Sequence, residues 1–128
     1  MAINPLIIEG TEVTPTVVLD KDTNTFLFKG KSLPENPAAF FKPIMKWIDD
    51  FSLEPNIEFN IEFHMIYFNT SSSKMFLDIM KKFELISHSG CRVAIKWFYA
   101  EDDEEILESG EIYSERVDVP FETIMETE

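Results

Sequence analysis

A two-layer α/β domain, with a mixed β-sheet and helices mainly on one face, is the fold class this sequence predicts, and three patterns carry the prediction. From Ile57 to Tyr67 the chain alternates, with Ile57, Phe59, Ile61, Phe63, Met65 and Tyr67 on one side and Glu58, Asn60, Glu62 and His64 on the other, which is the period of a half-buried strand. Directly after it, Met75, Phe76, Ile79, Met80, Phe83 and Ile86 recur at helical spacing and describe an amphipathic helix. Strand-like and helix-like stretches then keep taking turns, which requires helical crossovers and parallel pairing in part of the sheet.

The elements follow in order. Thr16 to Leu19 and Thr25 to Lys29 are β-branched and aromatic runs separated by the polar loop Asp20 to Asn24, the pattern of a hairpin. Ser32 to Pro37 is turn-rich, and Phe40, Phe41, Ile44, Met45, Ile48 and Phe51 then mark a helix over Ala38 to Phe51. Pro43 is tolerated in its early turns. Ser89 and Gly90 close the second helix. Val93, Ile95, Trp97 and Tyr99 alternate with Arg92, Ala94, Lys96 and Phe98 to give a further strand, whose cations are expected to face the carboxylates of the preceding one. A weaker helical pattern, Ile106, Gly110, Tyr113 and Val117, follows Asp102 and Asp103, and Val119 to Met125 is read as the last strand. The acidic run Asp102 to Glu105 suits a helix start, and Glu126 to Glu128 a frayed terminus. The expected order is ββαβαβαβ, in one domain over residues 1–128.

Composition narrows the function. Hydrophobic residues make up 45% of the chain, with 12 Phe and 2 Trp, enough for a core and too many for a disordered chain. The 24 acidic and 11 basic residues leave a net charge of −13, which repels nucleic-acid phosphates and anionic lipid and favours protein partners. The single cysteine, Cys91, has no intramolecular partner, and neither a secretory signal nor an apolar run of roughly 20 residues is present. A cytoplasmic protein is expected, with no membrane insertion.

The chemically distinctive stretch is Asn69-Thr70-Ser71-Ser72-Ser73-Lys74, where a strand ends and a helix begins. Unpaired N–H groups and the helix dipole at such a junction favour a negative group, and Lys74 supplies a nearby cation. Taken alone, the same residues describe an ordinary N-cap.

The stretch Tyr67-Phe68-Asn69-Thr70-Ser71-Ser72-Ser73-Lys74, followed by Leu77-Asp78-Ile79, resembles the signature of SiaC-type bacterial regulatory phosphoproteins. Gly10-Thr11 with Thr14-Pro15, Pro34-Glu35-Asn36, and Lys96-Trp97-Phe98-Tyr99 with its trailing acidic residues occur in the family order, so the resemblance spans nearly the whole chain. It implies a STAS-like fold and a non-enzymatic signalling role without a cofactor. It also implies that Thr70 is the phosphoacceptor, written by a protein kinase and erased by a PP2C-like phosphatase. The unmodified form is then expected to engage a diguanylate cyclase, linking the chain to cyclic-di-GMP and biofilm regulation. Phe68, at a position often leucine, and Ser73, where an apolar residue is common, depart from the family pattern.

Other candidates have plainer readings. Glu35 and Asn36 precede the first helix, where Asn36 can cap it, and both are partner-binding candidates. His64 beside Glu62 makes no catalytic pair without a nucleophile and an oxyanion site. His88 and Cys91 do not form a metal-ligand pattern, and no metal site is expected. Two rival functions remain: a constitutive interaction module without a switch, and a small hydrolase using Thr70 or Ser71 with His64, for which no Gly-rich phosphate loop or nucleophile elbow exists.

Overall fold

The computed structural model describes residues 4–51 and 58–126. Along them run β1 (Leu6–Ile8), β2 (Thr16–Asp20), β3 (Thr25–Ser32), α1 (Pro37–Phe51), β4 (Glu58–Phe68), α2 (Thr70–His88), β5 (Arg92–Ala100), α3 (Glu104–Arg116) and β6 (Phe121–Glu126). The expected strand start at Ile57, and Thr127 and Glu128 of the acidic terminus, lie outside the described residues. Glu126 itself belongs to β6.

The strands lie side by side in sequence order, β1-β2-β3-β4-β5-β6. β1, β2 and β3 pair antiparallel, whereas β3 to β6 are successively parallel. This order explains the layering. Parallel neighbours joined by right-handed crossovers that all advance in one direction must place every crossover helix on the same face. Ring contacts agree: Phe76 of α2 meets Phe41 of α1 and Phe63 of β4, while Phe63 meets Trp97 of β5, which meets Tyr113 of α3. Among the described residues, the sheet therefore has a helix-covered face and a bare one.

Two corrections concern strands. The order is βββαβαβαβ, because Leu6–Ile8 adds a short edge strand on β2 in the register Leu6↔Leu19, Ile7↔Val18 and Ile8↔Val17. Three residues are too few for alternation to declare itself, so its partner strand defines it. β3 also runs on to Ser32, through residues that read as turn.

The third correction is at the end of β4. Gly30 pairs with Met65 but Lys31 pairs with Tyr67, so Ile66 is an extra residue on β4. One inserted residue reverses the alternation beyond it. Tyr67, expected on the inner face, is 50% exposed. Phe68 turns inward instead, with its ring against Phe76, Trp97 and Tyr113. Gly30 holds the bulge at φ +117°, and a Cβ there would make only an ordinary contact, 3.9 Å from the Pro15 Cα. The demand for glycine is thus conformational. Gly30→Ala is expected to destabilise the protein by about 1–3 kcal/mol, read as a lower urea midpoint.

The cation-to-carboxylate expectation holds in register, with Glu58 beside Arg92 and Glu62 beside Lys96. The Lys96 ammonium nonetheless lies 4.0 Å from Glu122 of β6. Trp97 is fully buried and donates its indole N–H to the Ile106 carbonyl of α3 at 2.7 Å. α3 approaches so closely that a Cβ on Gly110 would lie 2.8 Å from the Trp97 Cγ. This contact seats α3, and with it Tyr113, on the sheet.

Candidate functional site

β4 delivers the chain to the C-terminal edge of the parallel strands, and α2 begins there. Asn69 is the N-cap: it is extended, and its side-chain oxygen accepts the Ser72 N–H at 2.9 Å. Its own N–H donates to the Ser32 carbonyl at the end of β3, 3.1 Å away. Both groups are engaged because a helix start has N–H donors that no earlier turn can satisfy. Those of Thr70 and Ser71 belong to the same unsatisfied set.

Four consecutive hydroxyls follow the cap, and the fold treats them differently. Ser72 is fully buried and shares a 2.8 Å hydrogen bond with the equally buried Ser32. Ser73 is half-buried; its hydroxyl lies 2.9 Å from the Tyr113 hydroxyl, which also donates to the Ser73 carbonyl at 2.9 Å. With its proton committed to that carbonyl, the phenol oxygen accepts from the Ser73 hydroxyl. Thr70 and Ser71 are exposed. Lys74, four residues after Thr70 and hence on the same helix face, is exposed as well.

The first turn of α2 is thereby fixed on two sides, to β3 through Ser32 and to α3 through Tyr113. Burial pushes the Tyr113 phenol up to about 12 from 10.0, against the opposing pull of the Ser73 hydrogen bond. A phenol that ionises near pH 10 when unfolded but near 12 when folded loses its proton first in the unfolded chain. Its contribution is intact below pH 10 and is lost as the pH rises through about 12. Stability is therefore expected to fall by about 3 kcal/mol in all once the pH has passed the folded value, two units at 1.36 kcal/mol per pKa unit. Urea midpoints compared with those of Tyr113→Phe, which lacks this titration, isolate the effect.

The other candidates fall around this edge or away from it. Asn36 caps α1, its side-chain oxygen accepting the Ala39 N–H at 3.2 Å, and Glu35 beside it is exposed. The Thr11 to Thr14 turn is closed by a 2.9 Å backbone bond and joins Leu33 through the Val13 carbonyl at 2.8 Å. Separate sequence signals thus meet where β3 ends. His64 lies on the bare face, stacked on Phe98 with centroids 4.0 Å apart. Its ring nitrogens lie 2.8 Å from Glu62 and 3.0 Å from Glu126. Cys91 is buried, as expected for a small hydrophobe. Among the described residues, no helix is long and apolar enough to cross a membrane.

Ser32 and Tyr113 are the site residues that sequence reasoning missed. Ser32 stood in an apparent turn, and Tyr113 read as one more apolar position of α3. Glycine inside a strand at Gly30 was the available signal for the bulge.

Together the fold and site define a small mixed α/β protein that displays exposed hydroxyls on an anchored helix start. The model of the SiaC family regulatory phosphoprotein matches residues 8–126, and the chain belongs to that family. It is 29% identical over 114 residues to an uncharacterized protein of Pseudomonas aeruginosa (strain UCBPP-PA14), covering 89% of this chain and 90% of the relative. The solved structure of SiaC of Pseudomonas aeruginosa superposes with a TM-score of 0.87 at 27% identity, covering 96% of this chain and 99% of that one. A second solved structure contains diguanylate cyclase SiaD of Pseudomonas aeruginosa in complex with its activator SiaC. This chain matches it with a TM-score of 0.89 at 28% identity, covering 94% of this chain and 99% of the other.

Proposed function

We propose that this protein is a non-enzymatic cytoplasmic switch that binds and activates a diguanylate cyclase when unmodified, and that phosphorylation of Thr70 turns the interaction off. A protein kinase writes the mark and a PP2C-like phosphatase removes it. The carrying observation is the exposure of Thr70 at the first position of α2, whereas Ser72 is buried and Ser73 is tied to Tyr113. Ser71 is exposed too, and Thr70 is chosen over it because Thr70 matches the family's acceptor. The SiaD–SiaC complex supports the choice of partner.

The chemistry of the switch is local. A phosphate adds about 1.5–2 negative charges and three acceptor oxygens, and a partner seated over Thr70 would have to desolvate them. The anchored first turn has no slack to withdraw. The hydrolase reading is disfavoured because both ring nitrogens of His64 are engaged by Glu62 and Glu126, leaving neither to serve Thr70 as a base.

Peptide mass spectrometry of the protein isolated from its native cells, with and without phosphatase treatment, tests the site; phosphate is expected on Thr70. Calorimetric titration against the cyclase tests the output. Phosphorylated protein is expected to bind about 100-fold more weakly than unmodified protein, roughly 2.8 kcal/mol. Equal affinities would instead favour a constitutive binding module.

A further inference from the structure

We propose that the bare sheet face beside Thr70, formed by Ile66, Tyr67, Lys29 and Lys31, is the surface on which the cyclase docks. The segment it takes is amphipathic, with an apolar side chain flanked by carboxylates. The inference rests on the partner-switch reading and adds the place and chemistry of contact.

The first support is the bulge. Met65 and Phe68 fill the inner positions of β4, and the extra residue leaves Ile66 and Tyr67 both turned outward, 63% and 50% exposed. Core packing gains nothing from two adjacent large side chains in water, and bulges commonly re-aim side chains where function needs them. Tyrosine with an aliphatic neighbour is also a frequent anchor of protein interfaces.

Charge supplies the second support. Lys31 is the register neighbour of Tyr67, and Lys29 lies two residues earlier beside His64. Both lysines are exposed and make no ion pair among the described residues, in a chain with a net charge of −13. Two cations framing an apolar pair complement carboxylates framing an apolar side chain. A polyanion such as nucleic acid would meet the repulsion of the whole molecule for the sake of two lysines.

Position links this surface to the switch. Tyr67 precedes Thr70 by three residues, and Lys74 follows one helical turn later. A phosphate on Thr70 competes with the partner's carboxylates for the local cations, so docking is lost without any change of fold.

The test is calorimetric titration of the unmodified full chain with the diguanylate cyclase, each variant first checked by circular dichroism melting. Ile66→Glu and Tyr67→Ser are each expected to weaken binding at least about tenfold. The double variant Lys29→Glu/Lys31→Glu is expected to weaken it comparably and to flatten its salt dependence. Leu85→Glu is the control, since Leu85 is 66% exposed but lies near the far end of α2; it should bind within about twofold of wild type. Unchanged affinity in the first three variants, or an equal loss with Leu85→Glu, overturns the docking surface and leaves the phospho-switch standing. A wild-type chain that does not bind the cyclase overturns the switch reading and this surface with it.

Discussion

Ser72→Glu is expected to abolish the folded state under conditions where Thr70→Glu folds normally, although the two positions stand two residues apart. Ser72 is fully buried against Ser32. A carboxylate there faces a desolvation penalty of several kcal/mol and has no room for its added volume. A loss of at least about 4 kcal/mol is expected, a large share of the roughly 5–15 kcal/mol that holds a domain together. At position 70 the new carboxylate stays in water at the positive end of α2, where it contributes about 0.3–1 kcal/mol of stabilisation. Thermal melts followed by circular dichroism read the contrast. If Ser72→Glu melted like wild type, the claim that burial separates these hydroxyls would be wrong. The comparison matters for function because it decides which hydroxyls can accept a phosphate without unfolding the protein.

Phe76→Ala should cost the fold about 3–5 kcal/mol. The ring is fully buried on the second turn of α2 and lies 6.0 Å from Phe28, 5.9 Å from Phe41, 5.5 Å from Phe63 and 5.4 Å from Phe68 between centroids. Those partners come from β3, α1 and both halves of β4, so no single element can close the cavity. Urea unfolding is expected to show a lower midpoint with an unchanged slope, the sign of lost stability without a change in surface exposed. The same ring anchors the turn that follows the one carrying Thr70, so packing energy and site geometry are joined here.

Most of the architecture was legible because periodicity reports which side of an element meets the core. α2 was read from its apolar stripe, and β4 and β5 from their alternation, since each of these elements is long enough for its period to repeat. The failures occur where the period is interrupted or too short. β1 has three residues. Before Tyr67 the period meets a bulge that depends on the pairing of β4 with Gly30, 35 positions before its partner Met65. Alternation in one segment carries no information about such a partner.

The site divides in the same way. The run of hydroxyls after Asn69, the capping role of Asn69 and the likeness to SiaC-type phosphoproteins all follow from local residue types and their order, because capping is settled within three residues of a helix start. Which hydroxyl faces water was decided only by tertiary structure. Ser32 arrives from β3 to bury Ser72, and Tyr113 arrives from α3, each across 40 positions of sequence, to hold Ser73. The bare face, too, belongs to the assembled sheet: it follows from strand order and crossover hand, which no single stretch of sequence contains. Sequence alone determined the longer elements and the chemistry available at the helix start; long-range pairing determined the short edge strand and which of those groups the protein presents to a partner.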